Sequence, residues 1–345
     1  GVGAMVDTLD AAGFDYRLAV TTTDVGNPRC PAATYKPEAG SLVISSCIER
    51  VGDGEFVFDT QEFSDACFTN CKHAWESTLP TTVEGDPVAA PRPWLEKIDG
   101  VANVEFPVAD AASCLLPQGV AGCGFEQPLE AMYLALTKAA QQGFLRDEAD
   151  LLVVLVTDEI DCSFNPEFMD IFTANKVFWN DPSDPTPTSA MCWRAGTACA
   201  GGPGTYDECH AVDRGADGTV TDDPTKAVLH PVSRYQSLLP QIQADKKSVG
   251  SKRRVFLDAV VGVPAGYAPG GAIPFADAAD PDYQADFGIG PGCSVASDPP
   301  RSAVPPLRIK ELVEGVPSLG NGLYSICDGG LKDLPKALGE LIAAE

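Results

Sequence analysis

The chain has 345 residues, 44% of them hydrophobic, with 49 acidic against 24 basic side chains and a formal charge of −25. That length and apolar content allow one large domain or two ordinary ones around a substantial core. A surface this acidic repels nucleic acid and anionic lipid, which excludes both as partners, and it favours solubility and divalent cations; most of its carboxylates are expected to be plain solvated surface.

The first element predicted is a helix over 2–12, because Val2, Met5, Val6, Leu9 and Ala12 recur at helical spacing and Gly13 supplies a stop. Since the sequence starts inside that helix, a mature or trimmed product is expected. Residues 14–23, FDYRLAVTTT, follow as a strand. Residues 24–105 form a long insertion with Pro, Gly and four cysteines, containing a predicted hairpin of 41–46 with 55–59 and a short helix around 62–75. So long a structureless loop is improbable, which points to a disulfide-tied subdomain. A helix then begins at Pro128, a residue suited to a first turn, with Leu129, Met132, Tyr133, Leu136 and Ala140 as its apolar stripe and Gly143 as its end.

The most informative stretch is LLVVLVTDEIDCS, residues 151–163. Six apolar residues read as a strand buried on both faces, and they stop at Thr157, Asp158, Glu159 and Asp161. A central strand ending in carboxylates delivers them to the carboxyl edge of a parallel sheet, where open α/β folds bind their ligands. Hard oxygen donors grouped there suit Mg²⁺ or Ca²⁺. Residues 161–230 read as loop, 232–247 as a helix, and 254–263 (RVFLDAVVGV) as a second buried strand. Residues 266–306 form another Gly/Pro/Asp-rich insertion, and a short segment at 307–313 and a helix over 331–344 close the chain. Helix and strand alternate, so the expected class is α/β: one domain over 1–345 with a doubly wound, mostly parallel sheet flanked by helices, and insertions at about 24–105, 161–230 and 266–306.

Twelve cysteines in loop-like sequence imply disulfides and an oxidising compartment, so a secreted, extracellular or cell-surface (outer-membrane-associated) protein is expected. Three histidines and no pair of CxxC units argue against structural zinc. Bridges such as Cys30–Cys47 and Cys114–Cys123 would serve, though spacing leaves connectivity open. No apolar stretch is long enough to span a bilayer. No Gly-x-Ser-x-Gly elbow or HExxH occurs, and His73, His210 and His230 lie in separate segments, so no enzyme is expected. The Asp213–Asp223 loop and the Asp277, Asp280, Asp282 and Asp286 cluster read as solvated acidic turns. Trp75, Trp94, Trp179 and Trp193 all fall in the insertions and either fill their small cores or anchor a partner.

The phrases AGFDYRLAVTTTD (12–24 within the wider run), GCGFEQPLEA (122–131), the 151–163 stretch and YSICD (324–328), in this order, resemble a von Willebrand factor A domain, and more narrowly the secreted, cysteine-rich A-domain proteins of myxobacteria and related bacteria. The resemblance covers the core elements, about half the chain. It implies a metal site built from three loops at the carboxyl edge. Asp158 matches the third position of that site, while Glu126 stands where the family usually has Thr, with Glu159 and Asp161 as further candidates. The family's first motif, Asp-x-Ser-x-Ser after a first strand, does not occur in this sequence. A longer chain, a cleaved peptide retained at the sheet, or a strand donated by another subunit would each account for that. The expected function is cation-dependent adhesion to a protein or matrix ligand; the alternative is a structural subunit of an extracellular assembly with a degenerate metal site.

Overall fold

A computed structural model describes residues 1–30, 36–58, 60–250, 252–268, 270–297 and 301–329 of the chain. The helix expected over 331–344 lies outside the described residues. Helix α1 (Val2–Ala12) turns Val6 inward and ends at Gly13, whose left-handed backbone (φ 73°) lets its own N–H donate to the Asp10 carbonyl and the Phe14 N–H to the Leu9 carbonyl. The next segment is extended, but only β1 (Tyr16–Leu18) joins a ladder, with a single further bridge from Val20 to Val43.

The first insertion folds into small pieces: α2 (Cys47–Gly52), β2 (Val57–Phe58), β3 (Gln61–Glu62), α3 (Asp65–Phe68), β4 (Thr81–Val83), β5 (Asp86–Ala90), β6 (Leu95–Ile98) and β7 (Val101–Ala102). The expected pairing of 41–46 with 55–59 does not form. Val57 and Phe58 pair locally with Glu62 and Gln61, and the helix expected over 62–75 shrinks to α3. Disulfides explain the change. Cys47–Cys67 clamps α2 to α3, and Cys71–Cys114 fastens the end of that unit to α4 (Val108–Leu115). The suggested Cys30–Cys47 and Cys114–Cys123 bridges are therefore corrected; Cys30 pairs with Cys123, 93 residues away. Helices α1 and α4 cover one three-stranded antiparallel sheet, β1-β6-β7, through Val6, Tyr16, Leu95, Val108 and Leu115.

Helix α5 (Pro128–Gln141) begins at the expected proline and buries Leu129, Met132 and Leu136 on one stripe. Each such burial contributes roughly 1.5–3 kcal/mol. It leads into β8 (Leu151–Val156), which forms where expected, but among the described residues it stands at the end of its sheet with only Leu151 and Leu155 buried, so the expectation of a central strand buried on both faces is corrected. Residues 161–230 are more ordered than their composition suggests: a 3-10 turn (Pro166–Phe172), α6 (Ala190–Gly196), and the hairpin β9 (Thr197–Gly201) and β10 (Tyr206–Ala211). The hairpin is stapled at Cys199–Cys209, and Cys162–Cys192 pins α6 to the loop after β8.

Helix α7 (Val232–Val249) and β11 (Val255–Val261) follow as expected. The third insertion holds α8 (Pro281–Phe287), β12 (Cys293–Val295) and β13 (Arg301–Ala303). Helix α9 (Leu307–Gly315) and β14 (Gly320–Ser325) complete the core. The fold is mixed α/β, and its parallel part is a three-stranded sheet in the order β14-β11-β8. Helices α5, α7 and α9 pack on this sheet through Leu129, Leu155, Tyr235, Leu257 and Leu312. All four tryptophans are buried, so they fill cores and do not stand ready to anchor a partner; Trp94 donates to Glu96 at 2.9 Å and Trp179 to the Ile171 carbonyl at 2.7 Å.

Candidate functional site at the carboxyl edge of the parallel sheet

Strand β8 leaves the sheet at Thr157, whose N–H still reaches the Val260 carbonyl. The chain then turns, held by two backbone contacts: Val304 donates to the Asp158 carbonyl at 3.0 Å, and Cys162 donates to the Glu126 carbonyl at 2.7 Å. Gly262 makes the first contact possible, because a Cβ there would lie 2.0 Å from the Val304 carbonyl oxygen. The second contact fixes the loop before α5 beside the loop after β8. Cys30–Cys123 and Cys162–Cys192 bracket the same region covalently.

Three of the four predicted carboxylates meet here. Thr157 donates its hydroxyl to Glu126 at 2.6 Å and accepts from the Glu159 N–H at 3.1 Å. Burial pushes the Glu126 carboxyl up to about 7; hydrogen bonds from Thr157 and Thr23 oppose the shift, and the charges of Asp158 and Asp24 add to it. Burial likewise pushes Glu159 up to about 8, helped by the charges of Glu126, Asp158 and Asp286. One oxygen of Glu159, Oε2, is buried with no hydrogen-bond partner. Asp158 is exposed at the mouth of the cluster. The Tyr283 hydroxyl on α8 is also buried without a partner, and its proton is held by burial and by the charges of Glu159 and Asp158.

Asp161 belongs to a different network. Its carboxylate accepts from Arg308 at 2.8 Å, from the Ser163 hydroxyl at 2.6 Å and from the Leu129 N–H at 3.3 Å, and both charged side chains are almost fully buried. Its oxygens are thus occupied by protein donors, and it stands apart from the group formed by Glu126, Asp158 and Glu159. Asp24 adds its charge to Glu126 from nearby, although both of its oxygens are likewise taken by protein donors. It is buried, accepts from the N–H groups of Gly26 (2.8 Å) and Cys123 (2.9 Å), and its carboxyl is raised mainly by burial. The sequence held a signal for it: VTTTD and LVTDE both end an apolar strand in Thr-Asp.

The other acidic stretches satisfy themselves locally. Asp217 accepts from the N–H and hydroxyl of Thr219, Asp280 caps α8, and Asp277 accepts from Tyr206 and Gly204. Among the described residues, only Cys47, Cys67 and Cys71 bring three ligand atoms within 4.8 Å of one another, and all three sulfurs are engaged in disulfides. The carboxylates at the sheet edge are therefore grouped but not closed into a cage. One Glu159 oxygen in this group is buried without a hydrogen-bond partner, and all the donors here are hard oxygens.

These environments set a pH dependence. Glu126 and Glu159 keep their protons in the folded protein above the ordinary carboxyl value of 4.5, so their contribution to stability is full below that value and is lost as pH rises through 7 to 8. His230 does the opposite on the acid side. Burial, with the charges of Arg234 and Arg308, pushes it down to about 4, so the unfolded chain takes up its proton first and stability falls as pH drops from 6.5 to about 4. Without divalent cations, Glu159→Gln should stabilise the protein by about 1–3 kcal/mol near pH 8 and change little near pH 5. Urea midpoints at the two pH values check this; equal effects at both would show that Glu159 is not held protonated.

No protein family, curated protein or solved structure matches this chain. Among the described residues, no helix is long and apolar enough to cross a membrane.

Proposed function

We propose that the protein is a secreted or cell-surface binding module of the A-domain type, which recognises a protein or matrix partner through a divalent-cation site at the carboxyl edge of its parallel sheet. The observation that carries this reading is the grouping of Glu126, Asp158 and Glu159 at the end of β8, with one buried Glu159 oxygen left unpartnered. Glu126, Asp158 and Glu159 would hold the cation, and Asp24 adds its charge nearby. A bound Mg²⁺ or Ca²⁺ supplies compensating charge and coordination positions that a partner carboxylate can complete. Asp158, being exposed, faces that partner, whereas Glu126 and Thr157 set the floor of the site. Six disulfides with no free cysteine agree with an oxidising compartment.

A second reading, a structural subunit of an extracellular assembly with a degenerate site, is favoured by one observation: no three of these carboxylate oxygens lie within 4.8 Å of one another. Titration calorimetry with Ca²⁺ and with Mg²⁺ at about pH 8 separates the two, because the acids must be ionised to bind. The adhesion reading expects saturable binding in the micromolar to low-millimolar range, lost in Asp158→Ala. Absence of heat with both cations would remove the metal-bridged mechanism and leave the structural one.

A further inference from the structure

The six disulfides differ in what they hold and in what can reach them. Cys47–Cys67, Cys71–Cys114 and Cys162–Cys192 are buried at both ends, and Cys30–Cys123 is buried at Cys123. Cys293–Cys327 is half-buried at both ends, but it ties β12 to the turn that follows β14. Cys199–Cys209 is also half-buried at both ends, and it joins two strands of one hairpin, where its cysteines stand directly opposite each other.

That hairpin has other means of staying in place. Besides the β9–β10 ladder, the Tyr206 N–H donates to the Phe275 carbonyl at 2.9 Å and the Val212 N–H to the Gly196 carbonyl at 3.0 Å. The Thr197 hydroxyl donates to the Trp193 carbonyl at 2.6 Å. None of these bonds runs through the bridge. The sulfur–sulfur bond can therefore open without loss of the strands, and the strands keep the two sulfurs opposed so that it can close again. The buried bridges join separate elements and cannot open without moving them. Accessible disulfides of the first kind are the ones that exchange with outside thiols.

The approach to the bridge has a direction and a charge. Cys209 and His210 line an open groove of about 340 Å³ against Lys310, Glu311 and Glu314 of α9, and Cys199 does not line it. A thiolate entering the groove meets Cys209 first. Asp207, Glu208 and Glu311 are exposed on this approach, and Lys310 is already paired with Glu314. Such a field repels anionic thiols and draws cationic ones.

We propose that Cys199–Cys209 is a thiol–disulfide exchange site, reduced by a dithiol carried on a basic surface while the other five bridges stay closed. One thiolate of the reductant attacks the Cys209 sulfur; a mixed disulfide forms, and the Cys199 sulfur leaves as a thiolate. The reductant's second thiolate then attacks its own sulfur in the mixed disulfide and releases Cys209. The dithiol ends as a disulfide, and the two cysteines end as thiols holding the two protons that the dithiol gave up. The exchange does not rest on the cation site, so either reading can fail alone.

The test is timed alkylation of the intact, oxidised protein without denaturant, at about pH 8, with peptide mass mapping. In limiting dithiothreitol, Cys199 and Cys209 should take up alkyl label about tenfold faster, or more, than any other cysteine. With a monothiol, the added thiol should sit on Cys209 and the alkyl label on Cys199. Cysteamine and mercaptoethanesulfonate are then compared at equal thiolate concentration, each relative to its rate with an uncharged model disulfide. Cysteamine should lead by about threefold or more at low salt, and the lead should vanish near about 1 M salt. Asp207→Asn with Glu208→Gln should shrink the lead and leave the dithiothreitol rate unchanged. The opening rate should be the same in dilute urea, as expected for a reaction of the folded protein. Another bridge opening first, all six opening together at a rate that climbs with urea, or the added thiol found on Cys199 would overturn the exchange site. Equal relative rates for the two monothiols at low salt would overturn the basic partner.

Discussion

Replacing Arg308 with alanine should destabilise the protein by about 3–5 kcal/mol, because it strands a buried carboxylate. Arg308 reaches Asp161 at 2.8 Å and the His230 carbonyl at 2.6 Å, and the charged side chains are only 3% and 2% exposed. The pair also orders the start of α5. Asp161 accepts from the Leu129 N–H, and Ser163, which bonds to Asp161, accepts from the Glu130 N–H. Losing the guanidinium thus leaves a desolvated charge and loosens the helix that carries Glu126 at its approach. Urea unfolding at neutral pH measures the loss. The double variant Asp161→Leu with Arg308→Met should recover most of it, since an apolar pair of similar volume carries no desolvation cost. If the single variant falls within about 1 kcal/mol of the wild type, water reaches Asp161 and the pair behaves as a surface ion pair.

That same pair marks where reading the sequence alone stops. Asp161 stands in a run of acids after an apolar strand, which makes it a plausible ligand by composition. Its partner lies 147 residues away, and only the packing of α9 against the loop after β8 brings the two together. The elements set by their own periodicity were legible: α1, α5, α7, β8 and β11. Strand β14 was not, because GNGLYS carries two glycines and no alternation; its pairing with β11 holds it in place. Residues 161–230 looked like loop because their order depends on Cys162–Cys192 and Cys199–Cys209, constraints that composition announces without assigning. At the site, Asp158, Glu159 and Glu126 could be proposed from the end of one strand and the start of one helix. Asp24 needed a third segment to be folded alongside them, and Tyr283 needed α8 to be laid over them.

Removing Cys30–Cys123 should produce the second large effect, and it should exceed that of removing Cys199–Cys209. The first bridge closes 93 residues of chain and the second only 10. Confining the longer loop in the unfolded chain is worth about 4–5 kcal/mol in the chain-entropy account, against about 2–3 kcal/mol for the shorter. The hairpin also keeps its own ladder when its bridge is gone, from Tyr206 opposite Gly201 to Ala211 opposite Thr197. The segment before Cys30 has less to hold it. Asp24 depends on the Cys123 N–H, and Gln127 reaches back to the Thr23 carbonyl and, at 2.8 Å, the Gly26 carbonyl. Alanine pairs at each bridge leave no free thiol, so unfolding in urea reports the bridges themselves. The Cys30–Cys123 pair should also weaken any cation binding, because Asp24 is then free to swing out of the charge cluster, whereas the Cys199–Cys209 pair should leave it unchanged. Equal stability losses would mean that loop length is not what the long bridge contributes. An unchanged cation affinity in both would mean that the Asp24 charge does not act on the proposed site.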